Sequence, residues 1–155
     1  MTPRLDYAAA APQLLHAMMV LEKAVTSAGL EHSLIELVKT RASQINGCAF
    51  CIDMHTRDAM KAGETAARLL LLDAWQEAPH YTDRERAALA WTEALTLVAE
   101  THAPDEAYDD LRPHFSDEEI VQLSVLIGTI NAWNRLAIGF RSVPAQHPVA
   151  AAAWA

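Results

Sequence analysis

The stretch RASQINGCAFCIDMHTRDAMKAG, residues 41–63, holds the end of one helical segment, a break, and the whole of a second segment. Leu34, Leu37 and Val38 upstream of it, with Ile45 inside it, recur at helical spacing and predict a helix over residues 33–45. Asn46-Gly47 is a turn-forming dipeptide that ends it. A new helix is expected from Cys48, or just before it, to about residue 62, with Gly63 as its natural cap. The chain on either side of this stretch also reads as helical.

Working outward, Leu14, Met18, Leu21 and Val25 share one face of a predicted helix over residues 12–27, closed by Gly29. Residues 64–76 form a short Leu-rich helix. Thr82 with Glu85 is a capping box that starts a helix running to about residue 100 and burying Ala87, Trp91, Leu95 and Val98. A short helix is expected over residues 104–111. Ser116 with Glu119 is a second capping box, opening a long apolar helix that ends near Gly139. No sustained alternating run of β-branched residues predicts a strand. The expected fold is therefore an all-α bundle, one domain over residues 1–155, with residues 141–155, including Pro144 and Pro148, as a tail.

Composition fits that frame. The chain of 155 residues is 52% apolar and 21% charged, a globular balance with enough length for a sizeable core. A formal charge of −8 argues against nucleic acid, because no basic stripe exists to displace counterions from phosphates. The run IVQLSVLIGTINAWNRLAIGF, from Ile120, is broken by Gln122, Asn131, Asn134 and Arg135, so a buried helix is expected there rather than a membrane span. The N-terminal residues MTPRLDYAAAAPQ lack the pattern of a secretory signal, and the expected compartment is the reducing cytosol.

The chemistry centres on Cys48 and Cys51, the only cysteines of the chain, and on His55. On a helix of about 3.6 residues per turn, these positions share one narrow stripe. Cys51 and His55 are i, i+4 neighbours, which brings an imidazole within reach of a thiol. Cys48 is expected in the first helical turn, where free N–H groups and the dipole favour an anion. One activated sulfur with a second in reach to resolve it is a reactive dithiol. The same residues admit other readings. Zinc would use two cysteines and a histidine, yet no second C-x-x-C supplies further ligands. A structural disulfide closing so short a loop constrains the unfolded chain little. Two inert cysteines can also simply pack in a core.

These residues also carry a resemblance. Asn-Gly before the first cysteine, C-x-x-C, a histidine four residues after the second cysteine, and Glu36 twelve residues before the first resemble the AhpD-like alkylhydroperoxidase family of the carboxymuconolactone decarboxylase superfamily. RERAALAWTEALT and NAWNRL, later in the chain, are similar to this family as well, so the likeness spans about Leu14 to Leu136. It implies an all-helical, AhpD-like bundle with the C-x-x-C pair at the N-terminal end of a central helix. It implies an enzyme, a peroxidase of antioxidant type. Cys51 would be the peroxidatic thiol, Cys48 would resolve its sulfenic acid to a Cys48–Cys51 disulfide, and Glu36 with His55 would relay protons. The substrate would be a small peroxide, the reductant an external dithiol of lipoyl or thioredoxin type, and the assembly a homo-oligomer, a hexamer or alternatively a trimer. No cofactor is expected beyond the cysteine pair, and neither a metal nor a membrane partner.

One position departs from the pattern. Phe50 stands where the studied peroxidases carry a histidine immediately before the second cysteine, so one polar relay member is absent. That leaves room for a general thiol–disulfide oxidoreductase, or for a non-enzymatic oligomer whose dithiol senses oxidation. The decarboxylase branch does not use a C-x-x-C pair, and both thiols are present here. Elsewhere, His16, His32, His80, His102, His114 and His147 are scattered and read as surface groups. Trp91 and Trp133 read as core or interface, and Arg41 as an exposed helix arginine. Asn131, Asn134 and Arg135 need partners if buried, bridging helices or subunits or lining a pocket.

Overall fold

The structure, a computed structural model, describes residues 2–145. In chain order the α-helices are α1 (Tyr7–Ala10), α2 (Pro12–Thr26), α3 (His32–Asn46), α4 (Ala49–Lys61), α5 (Ala66–Leu71), α6 (Asp83–Thr96), α7 (Val98–Thr101), α8 (Asp105–Asp109) and α9 (Asp117–Phe140), with a 3₁₀ turn over Leu72–Ala74. No strand occurs among the described residues. Residues 142–145, after Arg141 caps α9, have no regular structure; residues 146–155 of the expected tail, with His147 and Pro148, lie outside the described residues.

The central element is α3. Leu34, Ile35, Glu36, Leu37, Val38, Lys39 and Thr40 are all buried, so this helix is enclosed on every side. It packs on α4, α6 and α9. Leu34, Ile35 and Val38 join Ala88, Trp91, Leu123 and Ile127 in the main core, while Leu37 faces Leu72, Trp75 and Leu89 in a second cluster. Four polar side chains (Glu36, Lys39, Thr40 and Ser43) are buried on the same helix. Glu36, Lys39 and Ser43 find partners and build the site described below, while Thr40 Oγ1 has no hydrogen-bond partner among the described residues.

Both capping boxes form. Thr82 Oγ1 accepts from Glu85 N at 3.2 Å while Glu85 Oε2 accepts from Thr82 N at 2.8 Å, and Ser116 with Glu119 repeats the pattern at α9. Helix ends differ more from expectation. α6 stops at Thr96, not near residue 100, because the chain turns at Leu97 and Thr101 Oγ1 donates to Ala94 O at 2.7 Å. Val98 is then 49% exposed instead of buried. The segment over residues 64–76 divides into α5 and the 3₁₀ turn. α1, capped by Asp6, has no counterpart in the sequence reading. On α2 only Val25 is buried; Leu14 and Leu21, expected on the core face, are 72% and 42% exposed.

The turn between α3 and α4 sets up the site. Gly47 is left-handed, with φ 69° and ψ 31°. Gly47 N donates to Gln44 O at 3.0 Å and Cys48 N to Ser43 O at 2.9 Å, the paired bonds of a Schellman ending. Cys48 thereby finishes α3 and serves as the N-cap of α4.

Candidate active site

Cys48 stands one residue outside the helix that the sequence places it in. Its backbone is extended, with φ −84° and ψ 90°, and its backbone N–H is turned back onto α3. As the N-cap residue its side chain makes no capping hydrogen bond, and the N–H groups at the start of α4 bear on the ionisation of its thiol. Cys51 lies inside α4, and both thiols are free and 2% exposed. Together with Ala137 of α9 they form a small cluster, against which Phe50 packs.

The two sulfurs share a proton unequally. The Cys48 thiol is lowered to about 7, first by the hydrogen bond from the Cys51 thiol and then by the Cys51 and Phe50 backbone N–H groups and the Asn134 amide, which together outweigh burial. Cys51 is pushed well above the ordinary thiol range, because it donates to the Cys48 sulfur, is buried, and would place a second negative charge beside the first. When the pair loses its first proton, these shifts favour the charge on Cys48 and leave the remaining proton on Cys51.

α9 supports this pair from the side. Asn134 is wholly buried. Its Nδ2 donates to Ser43 Oγ at 3.0 Å, and its Oδ1 accepts from Asn46 Nδ2 at 2.8 Å. Asn46 Nδ2 also donates to Asn131 Oδ1 at 2.9 Å, and Asn131 Nδ2 reaches Thr96 Oγ1 at 3.1 Å. Asn131 and Asn134 thus bridge helices, one of the roles open to them from the sequence alone.

Glu36 and His55 meet across α3 and α4. His55 Nδ1 lies 2.9 Å from Glu36 Oε2, and both residues are 6% exposed. An ionised carboxylate accepts, so Nδ1 carries the hydrogen and Nε2 is the free nitrogen. The other carboxylate oxygen, Oε1, lies 3.9 Å from Nε2 of His32, whose side chain is 65% exposed. The sequence reading set His32 aside as a scattered surface residue, although its i, i+4 spacing to Glu36 was visible.

Cys51 and His55 open onto a pocket of about 320 Å³, whose wall includes Phe50, Met54, Trp133 and Glu22. Cys48 is not part of that wall. Trp133 is thus a pocket residue, its Nε1 donating to Glu22 Oε2 at 3.1 Å. The other oxygen of Glu22 is paired with Lys39, whose side chain is 5% exposed. Neither Glu22 nor Lys39 stands out in the sequence, because their partnership joins two helices. Arg41 is not an exposed helix arginine: its side chain is 12% exposed and pairs with Glu93 and Asp73, so its charge is committed elsewhere. Among the described residues no three His, Cys, Asp or Glu side chains are grouped so as to hold a metal ion, and no helix is long and apolar enough to cross a membrane.

Four likenesses, one to a family and three to individual proteins, accompany this geometry. The sequence model of the carboxymuconolactone decarboxylase family matches residues 12–94, more than half of the chain. The uncharacterised protein YdfG of Bacillus subtilis (strain 168) is 44% identical over 138 residues, 89% of this chain and 94% of its own length. Among solved structures, a protein of unknown function from Agrobacterium tumefaciens, regarded as a candidate antioxidant defence protein AhpD, is 51% identical. It superposes with a TM-score of 0.92 over 94% of this chain and 100% of that one. The debrominase Bmp8 in its apo form has the same fold, at a TM-score of 0.77 and 20% identity over 88% of this chain and 74% of its own. One fold thus hosts distinct chemistries, and activity has to be argued from the site.

Proposed function

The chain belongs to the carboxymuconolactone decarboxylase family as an AhpD-like member, and we propose on that premise that it is a thiol-dependent peroxidase. The observation that carries this reading is the pocket wall: Cys51 and His55 face the same space, and His55 is backed by Glu36 at 2.9 Å. In the proposed cycle the Cys51 thiol gives its proton to His55 Nε2, while Glu36 stabilises the imidazolium through Nδ1–H. The Cys51 thiolate attacks the terminal oxygen of a hydroperoxide. The O–O bond breaks, the departing alkoxide or hydroxide takes the proton back from His55, and Cys51 becomes a sulfenic acid. Cys48 then attacks the Cys51 sulfur, the S–O bond breaks, hydroxide leaves as water after protonation, and the disulfide closes. Two electrons and two protons from an external dithiol, of lipoyl or thioredoxin type, restore both thiols.

The charge distribution supports one half of this division of labour. Cys48, with its lowered thiol, readily supplies the anion that resolution needs, whereas Cys51, pushed up by that neighbour, depends on the His55–Glu36 relay to lose its proton. A second order, with Cys48 attacking first, is favoured by its lowered thiol; it is opposed by its absence from the pocket wall. Trapping of sulfenic acid in single-cysteine variants decides between the two. Under the proposed cycle Cys48→Ser accumulates sulfenic acid on Cys51, and sulfenic acid formed only in Cys51→Ser reverses the roles.

Peroxide consumption with a dithiol reductant tests the function itself. Catalytic turnover lost in Cys51→Ser supports the peroxidase. Turnover of disulfide substrates without peroxide turnover marks a general thiol–disulfide oxidoreductase, the reading that Phe50 on the pocket wall favours. A single stoichiometric oxidation marks a redox-sensing module. The reducing cytosol is the compartment in which a free dithiol of this kind is kept ready.

A further inference from the structure

Glu22 and Lys39 stand outside the proton relay, yet their pairing reaches the pocket. Lys39 lies on α3 with its side chain 5% exposed, and its ammonium pairs with Glu22 Oε1 of α2. A charge held at that depth is costly unless an opposite charge meets it in good geometry. The second carboxylate oxygen, Oε2, accepts from Trp133 Nε1 of α9 at 3.1 Å. Three helices are thus tied through one carboxylate, and both of its oxygens are engaged.

The tie ends on the wall of the cavity that Cys51 and His55 share. An indole has a single N–H, and here it is given to Glu22, so the ring offers the cavity only an apolar face. Phe50, Met54 and Ile130 add apolar surface to the same wall. Among the described residues no lysine or arginine belongs to that wall, so an anionic substrate finds no free counter-charge there. A volume of about 320 Å³ falls within the range of sites for small organic molecules, about 300–1,000 Å³. The two oxygens of hydrogen peroxide would leave most of it unfilled.

We propose that Trp133 is a specificity-determining residue of this pocket, and that Glu22 and Lys39 are its positioning residues. The pair holds the indole as a fixed apolar face, against which the uncharged carbon body of an organic hydroperoxide rests with its O–O group toward Cys51 and His55. A face held in one place by its own supporting bonds binds without first being ordered. The inference rests on the peroxidase reading for the reaction, but the tethered wall acts equally on an unreactive ligand of the same shape.

Replacing a buried ion pair by apolar side chains of similar size is often tolerated, whereas removing one partner strands the other charge. Glu22→Leu combined with Lys39→Met therefore removes the tether without stranding a charge. The ratio of kcat/KM for cumene hydroperoxide to that for hydrogen peroxide is expected to fall about tenfold in Trp133→Ala. It should fall roughly threefold in the double variant, through KM more than kcat. A pair with a merely structural role would alter thermal stability and leave that ratio in place. An unaltered ratio in Trp133→Ala would overturn the role of the indole, and an unaltered ratio in the folded double variant that of the pair. Should the double variant not fold, Trp133→Phe keeps an aromatic ring without the N–H, and the same threefold fall or its absence decides.

A second measurement needs no turnover. The alcohol left by cumene hydroperoxide, 2-phenylpropan-2-ol, is titrated into the protein and followed by NMR at the methyl group of Met54. Its Kd is expected to rise by about tenfold in Trp133→Ala. An equal Kd, or no binding to the unaltered protein, sinks the proposal. Absence of peroxide turnover with this binding pattern intact would defeat the peroxidase reading alone.

Discussion

Glu36 and His55 are joined at 2.9 Å although each belongs to a different helix, and the left-handed Gly47 turn between those helices is what lets them meet. The pair is buried, so its geometry is not diluted by water, and the second carboxylate oxygen looks toward exposed His32. Glu36→Gln keeps the size of the side chain while removing its charge and its basicity. Under the proposed cycle it should lower kcat for peroxide by about 10²-fold or more, the usual weight of a positioned proton relay. Disulfide reduction of the oxidised protein by added dithiol should change much less. Unaltered peroxide turnover in Glu36→Gln would remove the residue from the mechanism.

The thiol pair should titrate in two widely separated steps. The lowered Cys48 thiol ionises with a midpoint at about 7, so thiolate absorbance should gain one equivalent between mildly acidic and mildly alkaline pH. Cys51, raised by its bond to that anion, should add nothing over the same range. The sign of the coupling is checked by deletion. Cys51→Ala removes the largest stabiliser of the Cys48 anion, and its midpoint should move upward, toward the ordinary thiol value. Cys48→Ala removes the neighbouring charge, and the Cys51 midpoint should fall. Independent midpoints in the two variants, each equal to its value in the intact pair, would contradict the shared proton.

Much of this was legible before any coordinates, and what was not has physical causes. Capping boxes are local, so Thr82 and Ser116 announced the starts of α6 and α9 correctly. The end of α6 depends on Thr101 folding back to Ala94, which spacing alone does not convey. Leu14 and Leu21 on α2 look like core residues because periodicity distinguishes apolar from polar faces, not covered from uncovered ones. At the site, Cys48, Cys51 and His55 form a sequence-local motif, and Glu36 followed from the family-like spacing. Asn134, Glu22 and Lys39 come from helices whose contacts are decided by tertiary packing. Asn134 was marked by its polarity inside an apolar helix, whereas Glu22 and Lys39 carried no such mark.

Gly47 offers a test of how the fold positions the chemistry. A Cβ at this residue would meet no atom within 4 Å, so the obstacle to substitution is the backbone conformation at φ 69° and not crowding. Gly47→Ala should destabilise the protein by about 1 kcal/mol through the left-handed strain. Because Cys48 N is bonded to Ser43 O through this turn, relaxing it also moves the N-cap sulfur. Denaturant unfolding should show the stability loss, and the Cys48 midpoint should rise with it. Gly47→Asn, better tolerated in the left-handed region, should recover part of both. A stability loss with no change at Cys48 would mean that the turn and the sulfur are uncoupled.

The uncovered apolar side chains bear on assembly. Leu14, Met19, Val20 and Leu21 on α2 are exposed, as are Val121, Val125 and Ile138 on α9. Scattered apolar residues on a surface are ordinary, but these concentrate on two helices that pack on each other. We therefore propose a homo-oligomer that covers α2 and α9, with the hexamer or alternatively the trimer that the family resemblance implies as its size. Leu14→Asp, with a side chain 72% exposed in the isolated chain, has little to disturb within a monomer. It should leave the far-UV helix signal intact while dissociating the assembly by several-fold or more in light scattering. A monomeric mass for the unaltered protein at micromolar concentration would defeat the proposal. An unaltered assembly in Leu14→Asp would move the interface away from this end of α2.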